Sequence, residues 1–136
     1  MVICYIGLGS NLGEREGNIK QALYLLKESR KIEIEKISSI IETEPVLPPH
    51  APAQGRFLNA VVRIKTDLSP EELLSLLKEI ERRMGRQPAP RFSPRIIDLD
   101  ILLYGDRKIR KKTLEIPHPQ IEERSFIKRL LKEVEE

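Results

Sequence analysis

Apolar positions recur along this chain at two periods, one near two residues and one near 3.6, and the switches between them predict its elements. Val2 to Leu8 is almost wholly apolar, the pattern of a buried strand, and Gly7-Leu8-Gly9-Ser10-Asn11-Leu12-Gly13 reads as a strand-to-helix turn. Ile19, Ala22, Leu23 and Leu26 share one helical face, which predicts an amphipathic helix from about Glu14 to Glu28. Ile32-Glu33-Ile34-Glu35 alternates and opens a second strand expected to reach about Glu42. Phe57 to Lys65 alternates again, with Leu58, Ala60, Val62 and Ile64 on one face and Phe57 and Asn59 on the other. Ser69-Pro70-Glu71-Glu72 joins an N-cap serine, a proline at the first helical position and a glutamate that closes a capping box. The stripe of that helix is Leu73, Leu77, Ile80 and Met84, with Gly85 as its stop. Glu81 lies on the flank of the stripe and reads as a surface acid. A strand from Ile96 to Tyr104 and a last amphipathic helix through Ile127, Leu130, Leu131 and Val134 complete the pattern.

Two proline-rich stretches interrupt it. Thr43 to Arg56 carries four prolines and a glycine, and Arg86 to Arg95 carries three prolines and the arginines Arg86, Arg91 and Arg95. Regular structure is excluded from both, and loops of such length in a compact domain are usually functional or disordered. Beyond Gly105, Arg107 to Thr113 forms a basic hairpin arm, and His118 is pinned between Pro117 and Pro119.

Length and charge then narrow the class. A chain of 136 residues is expected to form one domain, residues 1–136, around a single core. The net charge of +3 comes from many interspersed acids and bases, which favours an anionic ligand without demanding nucleic acid. No apolar run approaches the roughly 20 residues of a membrane span, and Met1-Val2-Ile3-Cys4-Tyr5 lacks the flank of a secretory leader. The lone cysteine, Cys4, falls in a predicted buried strand, so a structural thiol and a cytoplasmic location are expected, and a monomer is the simpler expectation for the assembly.

The chemistry centres on Asp98-Leu99-Asp100. In a strand the two aspartates share a face, with Cα atoms roughly 6–7 Å apart, while Ile97, Leu99, Ile101 and Leu103 are expected to face the core. Two adjacent carboxylates on a half-buried strand repel each other unless cations lie between them, and Mg²⁺ suits such a pair because it leaves positions for phosphate oxygens. Two solvated acids on an edge strand carry the same pattern. The preceding arginines suit phosphate as planar forks, or they simply offset the aspartates by ion pairing. Asn59 beside Phe57 suits a flat, hydrogen-bonding heterocycle, or is a satisfied strand amide next to an edge ring. The glycines from Gly7 to Gly13 fit neither a dinucleotide-binding fingerprint nor a Walker A loop. Phe57, Phe92 and Phe126 all stand at element junctions, where a ring can stack on a ligand.

These pieces, in this order and spacing, resemble 6-hydroxymethyl-7,8-dihydropterin pyrophosphokinases of folate biosynthesis. The likeness runs from Tyr5 to about Phe126. It rests on Gly9-Ser10-Asn11-Leu12, Ser38-Ser39 with Thr43-x-Pro45, and Phe57-Leu58-Asn59. It continues through Ile80-Glu81 with Gly85-Arg86, Pro94-Arg95-x-x-Asp98-Leu99-Asp100, and Pro117-His118-Pro119 with Arg124-x-Phe126. The resemblance implies a ferredoxin-like α+β sandwich, a largely antiparallel sheet with helices packed on it and an extra C-terminal helix. It implies transfer of the β,γ-diphosphate of ATP to the pterin hydroxymethyl group, with AMP released and two Mg²⁺ ions held by Asp98 and Asp100. Arg86 and Arg95 would join those aspartates in catalysis. Phe57 and Phe126 would sandwich the pterin, with Asn59, Thr43 and the backbone at Val46 reading its edge. Glu81, Arg86, Phe92, Arg95, Ile101, His118 and Arg124 would face ATP, joined by one of Arg110, Lys111 or Lys112, and Arg91 and Phe92 would belong to a lid. Phe92 stands where many members carry tryptophan, and Leu47 where they carry glycine. In-line attack on the β-phosphorus needs positioning and charge neutralisation more than a strong base, which the residue set supplies. A small RNA-binding module is disfavoured by the scarcity of aromatics, 4% of residues, and by the lack of an Arg/Lys-Gly-Phe strand.

Overall fold

β1 (Val2–Ser10) leads through α1 (Arg15–Glu28) to β2 (Ile32–Ile37), and a short β3 (Ile41–Thr43) follows. β4 (Phe57–Thr66) then leads through α2 (Pro70–Arg83) to β5 (Asp98–Tyr104). A hairpin of β6 (Ile109–Arg110) and β7 (Glu115–Ile116), one turn of helix α3 (Gln120–Glu123), and α4 (Ser125–Val134) close the chain. The computed structural model describes residues 1–51, 53–90 and 93–135. The described strands form a five-stranded sheet in the order β2-β4-β1-β5, with β3 beside the start of β4, and every pairing is antiparallel. Two βαβ passes interleaved in this way are the ferredoxin-like α+β arrangement that the resemblance implies.

Both faces of the sheet are covered over part of its area. Cys4, Ile6, Leu8, Val62, Ile64, Leu99 and Ile101 point to one side and pack with Ile19, Leu26, Leu73, Leu77 and Ile80 of α1 and α2. Val61 and Leu102 point to the other side and pack with Ile127, Leu130, Leu131 and Val134 of α4. The predicted capping box at the start of α2 is present, with Ser69 accepting from the Glu72 N–H and Glu72 accepting from the Ser69 N–H.

Three expectations are corrected. The Gly7–Gly9 segment is strand, because β1 continues to Ser10 with both its neighbours paired to it. Leu103 leaves the row of Ile97, Leu99 and Ile101 and packs on the α4 side. The cause is a bulge. Pairing passes from Tyr5↔Leu103 to Ile6↔Ile101, so Leu102 is an extra residue and the alternation reverses past it.

The strand expected over 32–42 is broken at Ser38. There the Ser38 N–H donates to the Val61 carbonyl at 2.9 Å while the Ser38 hydroxyl accepts the Val61 N–H at 2.8 Å. One serine side chain thus takes the place of a main-chain acceptor. The next residue, Ser39, donates through its N–H and hydroxyl to the two carboxylate oxygens of Glu133 on α4, at 2.8 and 2.9 Å. The final helix is clasped to the strand break. Ser38→Ala is expected to destabilise the protein by about 1–3 kcal/mol, because the buried Val61 N–H loses its acceptor. Urea unfolding measures this, and a midpoint equal to wild type would show that water replaces the hydroxyl at no cost.

Candidate active site

Two rows cross the sheet on the face opposite α1 and α2, just beyond the part that α4 covers. Gly9 lies between Asn59 and Asp98, and Gly7 lies between Val61 and Asp100. Strand alternation therefore puts Asn59, Gly9 and Asp98 side by side and sets Asp100 one step further along. With no side chains at Gly7 and Gly9, the floor is bare backbone. A Cβ on Gly9 would come within 3.1 Å of Asn59 Oδ1 and 3.5 Å of a Phe57 ring carbon, so the floor must stay open for these two groups to hold their places. Phe57, Asn59, Asp98, Asp100, Arg95 and Arg124 surround the resulting cavity. Beside it a second hollow runs between Pro45, Val46 and Leu47 of one proline-rich loop and Ser93 and Arg95 of the other, again bordered by Phe57 and Arg124.

Asn59 is oriented by Thr43, whose hydroxyl accepts its side-chain N–H, and the pair is set by the Thr43↔Phe57 register of β3 and β4. Asp98 is held by two guanidiniums. Arg86 Nη1 reaches one carboxylate oxygen at 3.0 Å and Arg95 Nη1 the other at 3.0 Å. Arg86 also bonds Glu81 at 2.7 Å and the Ile97 carbonyl at 3.3 Å. Glu81 is not the surface acid that its place on the helix suggested. It is 6% exposed, and its Oε2 also accepts the Leu99 N–H at 2.8 Å. Helical periodicity predicts which way a position points but not what another element lays over it. Burial raises the Glu81 carboxyl above the ordinary range, offset in part by the Leu99 N–H and Arg86.

Asp100 is held differently. Among the described residues its one ion-pair neighbour within 4 Å is His118, whose Nε2 lies 3.7 Å away. The Gln120 N–H donates to His118 Nδ1 at 3.1 Å, and that bond directs Nε2 toward the aspartate. Burial lowers the imidazole, so it carries no full charge with which to balance the aspartate near neutrality. Burial, then the charges of Asp98 and Glu81, push the Asp100 carboxyl up to about 7. The pair thus contains one carboxylate neutralised by two arginines and one that lacks a close cationic partner and resists ionising. A hard cation fits that second position by the chemistry of its donors, since carboxylate oxygens are its preferred ligands.

Of the residues singled out in the sequence, Thr43, Val46, Phe57, Asn59, Arg95, Asp98, Asp100 and Arg124 come together around the two hollows. Glu81 and Arg86 border an adjoining hollow with Lys78, Arg82, Gln87 and Pro88, and His118 joins the set through Asp100. Phe126 is half-buried and packs against the core beneath α4. The Ile101 side chain is buried on the opposite face, among the α1 and α2 contacts, so from this strand only its backbone is near the aspartates. Lys111 is tied to Glu71 at 2.8 Å, whereas the Arg110 side chain is 91% exposed with Glu115 at 4.0 Å. Arg91 and Phe92 lie outside the described residues. Sequence reasoning missed Gly7 and Gly9 as the floor, and it missed Gln54 and Gln120, which border the hollows. Only the period-two register of β1 could have shown that its glycines alternate onto one face.

The family model described as 7,8-dihydro-6-hydroxymethylpterin-pyrophosphokinase matches residues 5–136. The chain is 45% identical over 132 residues to a 2-amino-4-hydroxy-6-hydroxymethyldihydropteridine pyrophosphokinase of Bacillus subtilis, covering 97% of this chain and 77% of that one. It is 44% identical over 135 residues to the protein of the same name in Aquifex aeolicus, covering 99% and 81%. It is also 50% identical over 122 residues to a mitochondrial folate synthesis bifunctional protein of Arabidopsis thaliana, covering 90% of this chain and 21% of that protein.

Asp100 and Glu81 both hold their protons more tightly folded than unfolded. The folded state therefore binds the extra protons from about pH 4 to about pH 7, and the cation-free protein loses stability as pH rises through that window. Asp100→Asn is expected to flatten this slope and to raise the melting temperature above pH 7 when no divalent cation is added. Thermal melts across the window measure both, and a slope equal to wild type would show that Asp100 ionises as freely folded as unfolded.

Proposed function

The chain belongs to the 7,8-dihydro-6-hydroxymethylpterin-pyrophosphokinase family, transferases acting on the hydroxymethyl-dihydropterin of folate synthesis, and from that premise we propose how its residues divide the reaction. The donor is ATP. The hydroxymethyl oxygen of the pterin attacks the β-phosphorus in line, the bond from that phosphorus to the α-bridging oxygen breaks, AMP departs with that oxygen, and the hydroxyl proton is released.

The pterin occupies the hollow between Phe57 and the loop of Val46. Phe57 offers a flat face and Asn59, steered by Thr43, reads the hydrogen-bonding edge, and Phe126, packed under α4, would have to turn outward to close the opposite side. The nucleotide lies on the β5 side, along the hollow of Glu81 and Arg86, with the backbone at Ile101 and the side chains of His118 and Arg124 in reach of it, and Phe92 in the lid. Asp98 and Asp100 would hold Mg²⁺, two ions in the full complex, and the metal would supply charge neutralisation for the transferring phosphates. Arg86 and Arg95 balance Asp98 when no cation does so, and with the carboxylate otherwise engaged their forks turn to phosphate oxygens. A cytoplasmic setting is supported by the single buried thiol at Cys4, and no helix among the described residues is long and apolar enough to cross a membrane.

The observation that carries this reading is an Asp100 without a close cationic partner beside an arginine-held Asp98, on a floor shared with an aromatic and an amide. Incubation with MgATP and 6-hydroxymethyl-7,8-dihydropterin is expected to yield AMP and the pterin diphosphate, followed by chromatography of the nucleotides. ADP or inorganic phosphate as the nucleotide-derived product would overturn it. Asp98→Asn and Asp100→Asn are each expected to lower turnover on the order of 100-fold or more with a native circular dichroism spectrum. Wild-type rates in both would remove the metal assignment. Phe57→Ala is expected to raise KM for the pterin about tenfold, from a lost stacking contribution of about 1–1.5 kcal/mol.

A further inference from the structure

Asn11 sits just beyond the strand floor, is 7% exposed, and touches two loops at once. Its main-chain N–H donates to the Arg95 carbonyl at 3.0 Å, and its Oδ1 accepts the Arg95 N–H at 2.7 Å. Arg95 is therefore clamped from both sides of its backbone by one residue. The same amide donates through Nδ2 to Gln54 Oε1 at 2.9 Å and, at 3.4 Å, to the Gly55 carbonyl. Gln54 borders the hollow with Val46 and Phe57, whereas the Arg95 side chain borders that hollow and also holds Asp98.

Resting on the assignment of the acceptor and phosphate sides above, we propose that Asn11 is a positioning residue for diphosphoryl transfer. It sets Arg95 for the phosphate side and the Gln54–Gly55 segment for the pterin side through opposite ends of one carboxamide. The chemistry requires an amide. The Arg95 limb needs an acceptor and the Gln54 limb needs a donor, and the planar group supplies both from adjacent atoms. A serine or threonine hydroxyl is too short to span both loops, and an aspartate keeps the acceptor but turns a second oxygen toward two carbonyl oxygens. Ordering either loop around its ligand lowers the conformational cost of ordering the other, because both are fixed to the same side chain.

The two limbs separate in a pair of substitutions. Asn11→Asp keeps the acceptor for Arg95 and loses the donor to the pterin-side loop, so it is expected to raise KM for the pterin about tenfold while lowering kcat less than threefold. Asn11→Ala loses both and is expected to lower kcat about tenfold or more in addition. Gln54→Leu removes the nearer of the two loop-side acceptors, leaving the Gly55 carbonyl, and is expected to shift the pterin KM in the direction of Asn11→Asp by a smaller factor. Steady-state kinetics with MgATP and the pterin at varied concentrations read both constants, and active-site titration corrects for any unfolded fraction. A purely structural role lowers the melting temperature of all three variants and leaves the constants of the folded fraction within twofold of wild type, which would overturn the proposal. Equal losses of kcat in Asn11→Asp and Asn11→Ala would overturn it as well, since the limbs would then not be separable. Absence of turnover in wild type would instead count against the assigned reaction.

Discussion

Two carboxylates on one face of one strand make the constraint around which this protein is arranged. Asp98 and Asp100 cannot both be ionised on a half-buried sheet face at low cost, and the surrounding residues resolve the repulsion unequally. Arg86 and Arg95 take Asp98, and burial leaves Asp100 reluctant to ionise. The inequality is useful in a phosphoryl-transfer site, because the position that lacks a resident cation is the one that a substrate-borne cation can fill. It also explains why the loop of arginines must end where β5 begins. Arg95 and Asp98 are three residues apart, close enough for one to discipline the other without a long detour of chain.

The fold meets that constraint by leaving a gap. α4 buries Val61 and Leu102 on the same sheet face that carries the site, so the helix stops just short of the aspartates and sets Arg124 at their rim. Its distance is fixed by the Glu133 clasp on Ser39. The bulge at Leu102 lets one strand serve both neighbours, since the residues before it deliver aspartates to the cavity and Leu103 beyond it packs under the helix. Gly7 and Gly9 complete the gap by contributing nothing above the plane of the sheet.

Much of this was legible in the sequence, for physical reasons that can be named. The capping box of α2, the stripes of Leu73, Leu77 and Ile80 and of Ile127, Leu130 and Leu131, and the shared face of Asp98 and Asp100 all follow from local periodicity. Local rules decide such features. What escaped was decided by distant partners. Glu81 is buried because β5 offers it the Leu99 N–H, from 18 positions along the chain. The second strand breaks because a serine hydroxyl can satisfy a main-chain donor 23 positions away. Gly7 and Gly9 read as a turn because glycine usually marks one, and only the pairing of β1 on both sides shows them in extended chain. Asn11 was visible as part of a motif, but its reach to two loops is a property of the folded arrangement.

β5 stands at the edge of the sheet, where an unpaired main-chain donor would ordinarily be open to a strand from another molecule. Glu81 occupies that donor at Leu99 with a carboxylate that is itself shielded by α2. Any chain seeking to pair at Leu99 would have to displace the buried Glu81 carboxyl, which Arg86 also holds. The acid that steadies Arg86 therefore also guards a donor on the border of the sheet, and one side chain serves both the site and the edge.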